Sequence, residues 1–124
     1  MNKKTYIKIF LLLISLLLTS QTWAVGIEVG YVRVQYLSYG VSASSAGKMF
    51  FFLDGNTKTG NPSCSIAHGG ERWVINNDWP VAKYYHSVLL AAQIAGKQVR
   101  IDGTGGCGVW SDSESVGNVR LADE

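Results

Sequence analysis

Two cysteines, Cys64 and Cys107, carry the most specific chemistry in this 124-residue sequence. No histidine or further cysteine lies at metal-ligand spacing from either of them. An even number of cysteines in an exported chain is typical of a disulfide. We therefore predict a Cys64–Cys107 bond across 43 positions of sequence. On the chain-entropy account, closing a loop of this length stabilises the folded state by roughly 4 kcal/mol. The alternatives are a metal site or a catalytic thiol.

The other groups that could serve catalysis are two histidines, His68 and His86, and two acids, Asp112 and Glu114. A hydrolase triad needs an activated nucleophile beside its histidine, and the sequence contains no nucleophile elbow. Both acids lie in a serine-rich segment, which indicates solvated carboxylates rather than a glycosidase pair. The glycine-rich stretch at 103–108 lacks the Lys-Ser/Thr that a phosphate loop requires. We expect no enzyme activity, no catalytic residues, no metal and no cofactor.

Aromatic side chains offer a different chemistry, because tyrosine and tryptophan rings stack on ligands and are enriched at interfaces. Three of them, Trp73, Tyr85 and Trp110, are expected to fill a small core. The ligand-binding candidates among them, which adjoin turns, are Tyr36, Tyr39 and Trp79.

The first 24 residues have the three parts of a secretory signal: a lysine-bearing start, an apolar run of about ten residues and a small residue, Ala24. The run is too short for a membrane span, which needs roughly 20 residues. Removal of residues 1–24 leaves 8 basic and 9 acidic residues, so the mature chain is not basic. We predict a secreted or periplasmic protein with no membrane span and no nucleic-acid partner.

The remaining residues, 25–124, are sufficient for one domain. Valine, isoleucine and tyrosine over 27–39 predict a long strand with a bulge beside Gly30. The apolar run 48–53 predicts a strand buried on both faces. Shorter strands are expected at 64–67, 71–75, 98–101 and 116–121. The order of strands, one helix and further strands predicts a β-rich α+β fold, a small antiparallel barrel plugged by the helix.

The helix is predicted over 80–95, with Pro80 at its start and Gly96 directly after its end. Its apolar stripe recurs at steps of three and four residues, which places one face on the barrel. The inward residues are expected to be Val81, Tyr85, Val88, Leu89 and Ala92, whereas Leu90 lies off this stripe.

Two segments resemble the B subunits of the subtilase cytotoxin and of pertussis-like toxins: residues 87–101 (SVLLAAQIAGKQVRI) and 49–55 (MFFFLDG). The Cys-x-x-Trp at 107–110 also resembles a pattern in small exported bacterial proteins. The toxin resemblance implies a five-stranded oligonucleotide/oligosaccharide-binding (OB) barrel, a ring of five subunits and binding of sialylated glycans. Asp54 matches an acidic position of the family, and the resemblance therefore adds Asp54 to the ligand-binding candidates. The first-strand serine that holds the sugar in those toxins is absent, because Val, Arg and Gln stand there.

The sequence therefore predicts an exported binding module that recognises cell-surface glycan, in the manner of a toxin B subunit. The implied partners are further copies of the chain, in a pentamer, and a catalytic subunit. The alternative is a stand-alone periplasmic or envelope protein with a non-enzymatic role.

Overall fold

In the part of the chain that the structure describes, five strands and one α-helix make up most of the regular structure. The computed structural model describes residues 24–38, 46–55 and 58–122, and of residues 34–38 it describes the backbone alone. The elements are β1 (Ile27–Ser38), β2 (Lys48–Asp54), β3 (Trp73–Asn76), α1 (Ala82–Ala95), β4 (Val99–Gly103) and β5 (Glu114–Leu121). No helix in these ranges is long and apolar enough to cross a membrane.

The strands form a closed barrel in the order β1-β2-β3-β5-β4. Four of the pairings in the described chain are antiparallel, and β3 pairs with β5 in parallel. The parallel pair arises because α1 and β4 lie between β3 and β5 in the chain and form the crossover that such a pair needs. A small OB-like barrel with one helix and one disulfide is thereby confirmed, with this one pair departing from the antiparallel arrangement expected.

β1 is long enough to pair with two other strands. Its first part pairs with β4 and its second part with β2, and the change of partner falls after Gly30. A Cβ on Gly30 would lie 2.4 Å from the Asp54 carbonyl oxygen, so the close approach of β2 requires glycine. The predicted irregularity of β1 is present as a shift of its register against β2. The register shift lies between Val32 and Val34, a few residues beyond the predicted position beside Gly30.

β2 is buried on both faces, as its continuous apolar run predicts. Met49, Phe51 and Leu53 point into the barrel and join its core, whereas Phe50 and Phe52 lie on the outer face. Trp73 of β3, which is fully buried, is the largest side chain in that core. On that face the ring of Trp110, from the loop between β4 and β5, packs on Phe50, and the ring of His68, from the connection between β2 and β3, packs on Phe52.

α1 begins at Ala82, two residues after the predicted start, and ends where Gly96 adopts a left-handed conformation (φ 63°). Leu89 and Ala92 are buried against the barrel, as expected. Val81 departs from the prediction because it precedes the first turn and is 37% exposed. The partly buried helix residues that pack on the core are Tyr85 and Val88.

The predicted disulfide between Cys64 and Cys107 is present, with Cα atoms 6.1 Å apart. It ties the loop between β4 and β5 to the segment that precedes β3. The expected short strand at 64–67 is wrong, because this segment forms a turn followed by a 3-10 helix over Ala67–Gly70. The backbone N–H groups of Ile66 and Ala67, which follow that turn, donate to the Asp112 carbonyl oxygen, so the disulfide and these hydrogen bonds join the same two segments.

Candidate functional site

An open pocket of about 580 Å³ lies where β3 and β5 diverge. The two strands pair only at Trp73 with Glu114 and at Val74 with Ser115. Beyond that point the loop between β4 and β5 and the turn between β3 and α1 form the walls. The lining residues are Lys48, Asn76, Trp79, Thr104, Gly108, Val109 and Ser115.

Asn76 and Lys48 present hydrogen-bond donors on one side of the pocket. Asn76 Oδ1 accepts from Lys48 Nζ (3.1 Å) and from the Asp78 backbone N–H (3.2 Å). These two donors fix the orientation of the amide and leave its Nδ2 as the group able to donate to a ligand. Asp78 Oδ2 lies 3.9 Å from Lys48 Nζ. The carboxylate therefore offsets much of the positive charge that Lys48 brings to the pocket.

The opposite wall is the first half of the loop between β4 and β5. Ser115 holds it from β5: its N–H donates to the Gly106 carbonyl (2.9 Å), and its Oγ accepts from the Val109 N–H (3.1 Å). Thr104 Oγ1 donates to the same Gly106 carbonyl (3.3 Å) and can still accept a hydrogen bond. The Ser115 hydroxyl, whose oxygen is already an acceptor, can donate. The wall thus carries one further donor and one acceptor.

Trp79 supplies the aromatic side of the pocket. The backbone N–H of Trp79 donates to the Asn76 carbonyl (3.1 Å) in the turn that leads to α1. Its ring is partly buried and packs against the core. A ring held in this way can stack on a ligand without losing much side-chain freedom when the ligand binds.

A buried ion pair lies directly behind the loop wall. Glu114 is fully buried, and its Oε2 lies 2.7 Å from Nζ of Lys58, whose side chain is 4% exposed. Glu114 Oε1 accepts from the N–H groups of Gly26 (2.9 Å) and Gly105 (3.0 Å). Glu114 adjoins the pocket residue Ser115, and its hydrogen-bond donor Gly105 adjoins the pocket residue Thr104. The buried ion pair therefore fixes the backbone next to two pocket residues. The expectation that Glu114 is solvated is wrong, since barrel closure brings Lys58 to it.

The ring of Trp73 completes this cluster. Lys58 Nζ lies 3.9 Å from its centroid, and its Nε1 donates to Glu28 Oε2 (2.6 Å). Burial raises the pKa of the Glu28 carboxyl from 4.5 to about 6, and the Trp73 hydrogen bond and the Lys58 charge only partly oppose that shift. Glu28 carries no sequence signal of this role, because its tryptophan partner lies 45 residues away.

Two further acid–base candidates of the described chain, Asp112 and His68, have partners away from the pocket. Asp112 is paired with Arg72, which also donates to Ser113 Oγ (2.7 Å), so the two acids of this segment have separate cations. His68 lies exposed with its ring edge-on to Phe52. His86 is half-buried on α1, and burial lowers the pKa of its imidazole.

Of the four predicted ligand residues, Trp79 and Asp54 have described side chains, and the structure places these two apart. Trp79 lines the pocket. Asp54 lies at the opposite end of β2 from Lys48, about 20 Å along the strand, where Arg33 Nε pairs with it at 3.3 Å. Tyr36 pairs through its backbone with Phe50, and its side chain is not described. Tyr39 lies outside the described residues.

One of the three residues assigned to the core is also misplaced. Trp73 is fully buried and Tyr85 packs on the core, but Trp110 is 41% exposed. Trp110 lies in the loop between β4 and β5, where its ring meets Phe50 on the outer face of β2. The pocket residues that sequence reasoning missed are polar residues of turns and strand ends: Lys48, Asn76, Thr104 and Ser115.

Comparison of the chain with protein-family models, with curated proteins and with solved structures found no match.

Proposed function

We propose that this protein is an exported module that binds glycan in the pocket beside Trp79. The observation that carries the proposal is the combination of one partly buried indole with hydrogen-bonding groups on the facing walls. A sugar presents the same two characters, an apolar ring face and a rim of hydroxyl groups. The pocket volume of about 580 Å³ lies within the usual range of ligand sites, about 300–1,000 Å³.

The polar groups of the pocket suit a hydroxyl-rich ligand. Asn76 Nδ2, Lys48 Nζ and the Ser115 hydroxyl can donate, and Thr104 Oγ1 can accept. Hydrogen bonds within the protein set the position of each of these groups. Such preorganisation lowers the entropy that binding costs, which matters for a ligand as strongly hydrated as a sugar.

A glycan array tests this proposal. The mature chain from residue 25, labelled at a site remote from the pocket, should bind a defined subset of glycans. Trp79→Leu should lose most of that binding, because it removes the flat ring but keeps an apolar side chain. The matched control is Tyr84→Ala on α1, whose ring is 62% exposed. Binding that survives Trp79→Leu, or no binding by the parent, would contradict the proposal.

Export is part of the same proposal. A disulfide between two loops is the kind of bond that forms and persists outside the cytosol. The signal-like residues 1–23 lie outside the described chain. Expression of the full sequence in a bacterium, followed by fractionation, should place the oxidised protein in the periplasm or medium; retention in the cytosol would contradict this.

We also propose that the module self-associates, as the pentameric toxin subunits do, and that it can carry a catalytic partner. The supporting observation is the outward face of α1, where Leu90 is 54% exposed and Ile94 is 78% exposed. Lys83 is the one charged residue of this helix, and a surface depleted of charge is typical of an interface core. Light scattering after size exclusion tests the oligomer. A monomer that binds no glycan would favour the stand-alone envelope role instead.

A further inference from the structure

Two independent observations place Trp110 next to the pocket. Along the chain it follows Val109, which lines the pocket. Across the barrel its ring meets Phe50 with centroids 5.3 Å apart. Phe50 and the pocket residue Lys48 stand on the same outer face of β2, two residues and therefore about 7 Å apart. An indole that is 41% exposed thus adjoins the pocket.

The ring of Trp110 is held in place by its surroundings. It meets Phe50 edge to face (87°), and the Arg72 guanidinium covers the same phenylalanine at 4.8 Å. The Trp110 carbonyl accepts from the Ser113 N–H (3.2 Å), which closes the turn that carries the ring. A large aromatic side chain that is both exposed and fixed is a feature of binding surfaces rather than of a core.

The hydrogen-bonding groups of the pocket also favour one chemical class of ligand over another. Its open hydrogen-bonding groups are mainly donors, so they suit a ligand that presents a strong acceptor such as an amide carbonyl. A carboxylate is less suited, because Asp78 already lies 3.9 Å from the single pocket cation, Lys48. The Val109 side chain offers an apolar contact for a methyl group beside these donors.

We infer that the ligand is an oligosaccharide containing N-acetylated hexosamine, which occupies two adjacent subsites, the pocket beside Trp79 and a second platform formed by Trp110. The acetamido carbonyl accepts from the pocket donors and its methyl group packs near Val109. The next sugar unit stacks on the indole of Trp110. This inference rests on the proposed glycan-binding function and names its substrate class and its second subsite.

Calorimetric titration with N-acetylglucosamine and with its β-1,4-linked tetramer tests the inference. The parent protein should bind the tetramer about tenfold more tightly than the monomer, since only the tetramer reaches both rings. Trp110→Leu keeps an apolar contact with Phe50 but removes the platform. It should lower tetramer affinity about tenfold and leave monomer affinity within twofold of the parent. Trp79→Leu should weaken both sugars.

Two controls separate stacking from loss of structure. Trp110→Tyr retains an aromatic ring and should keep most of the tetramer affinity, and every variant should melt as one cooperative transition. Equal binding of the tetramer by the parent and Trp110→Leu would overturn the second subsite. Failure of the parent to bind either sugar would overturn the substrate class. If the array then shows Trp79-dependent binding of another glycan, the proposed function stands without this inference; if it shows none, both fail.

Discussion

Lys58→Met should be among the most damaging single substitutions in this protein. Methionine fills a similar volume but removes the ammonium that lies 2.7 Å from the buried Glu114 carboxylate. It also removes the hydrogen bond to the Gly70 carbonyl (3.0 Å) and the cation over the Trp73 ring. Glu114 would then be a charge with two backbone donors, from Gly26 and Gly105, and no opposite charge beside it.

The magnitude follows from the burial of both partners. Removing one member of a buried ion pair typically costs about 3–5 kcal/mol, because the other charge remains desolvated. A domain of this size has about 5–15 kcal/mol of stability in total. We therefore expect Lys58→Met to remove a large part of the free energy of unfolding and to lower Tm by at least about 10 °C.

Urea unfolding of a double-mutant cycle measures the effect. Glu114→Gln keeps an oxygen that can accept from Gly26 and Gly105, so the pair Lys58→Met with Glu114→Gln leaves no unpaired charge. The double variant should recover at least about 1 kcal/mol relative to Lys58→Met alone. The matched control is Lys83→Met on the exposed face of α1, which should change stability by less than about 1 kcal/mol. If Lys58→Met proves no worse than Lys83→Met, the ion pair does not stabilise the barrel and the reasoning fails.

Further expectations concern the pH dependence, the helix, the disulfide and the mature end. Because the pKa of Glu28 is raised to about 6, the folded state holds a proton that the unfolded state releases at about 4.5. Its contribution to unfolding free energy should therefore rise by up to about 2 kcal/mol as pH falls from 7 towards 4.5. Glu28→Gln should flatten this dependence in urea melts, and an unchanged slope would contradict it. Leu89→Ala should cost about 2–5 kcal/mol, because Leu89 is fully buried. Leu90→Ala should cost little in a monomer, and a large cost that grows on dilution would indicate an interface at α1. Thiol labelling of denatured, unreduced protein should find no free cysteine. Intact mass should show a chain that begins at Val25, and retention of Met1 would contradict that cleavage.

Local periodicity and residue type were sufficient to predict the helix and the long first strand with its irregularity. The stripe that includes Leu89 and the stop at Gly96 depend on residues within a few positions of one another, so they are visible in one stretch of sequence. The disulfide followed from counting alone, because two cysteines have one possible partner each. The element order similarly predicted a barrel with a helix.

The candidate ligand residues mark the limit of such reasoning. Tyr36, Tyr39 and Trp79 were selected because they adjoin turns, and Asp54 because of the toxin resemblance. Neither criterion says which turns meet in space. Of the four selected residues, Trp79 alone is shown to line the pocket, which draws on four separate stretches of the chain between residues 48 and 115. Only the closed barrel brings these stretches together.

Tertiary structure also decided the burial of Glu114 and the exposure of Trp110. The serines around Glu114 predict a solvated carboxylate. Its cation, Lys58, is distant in sequence, because Lys58 precedes Cys64 and Glu114 follows Cys107. The size of the Trp110 side chain predicts a core position, but its loop lies against the outer face of β2. A sequence determines periodic faces and local turns because these arise between near neighbours. The surroundings of a charge or an exposed ring depend on which distant segments the barrel places around it, and that is a property of the closed fold.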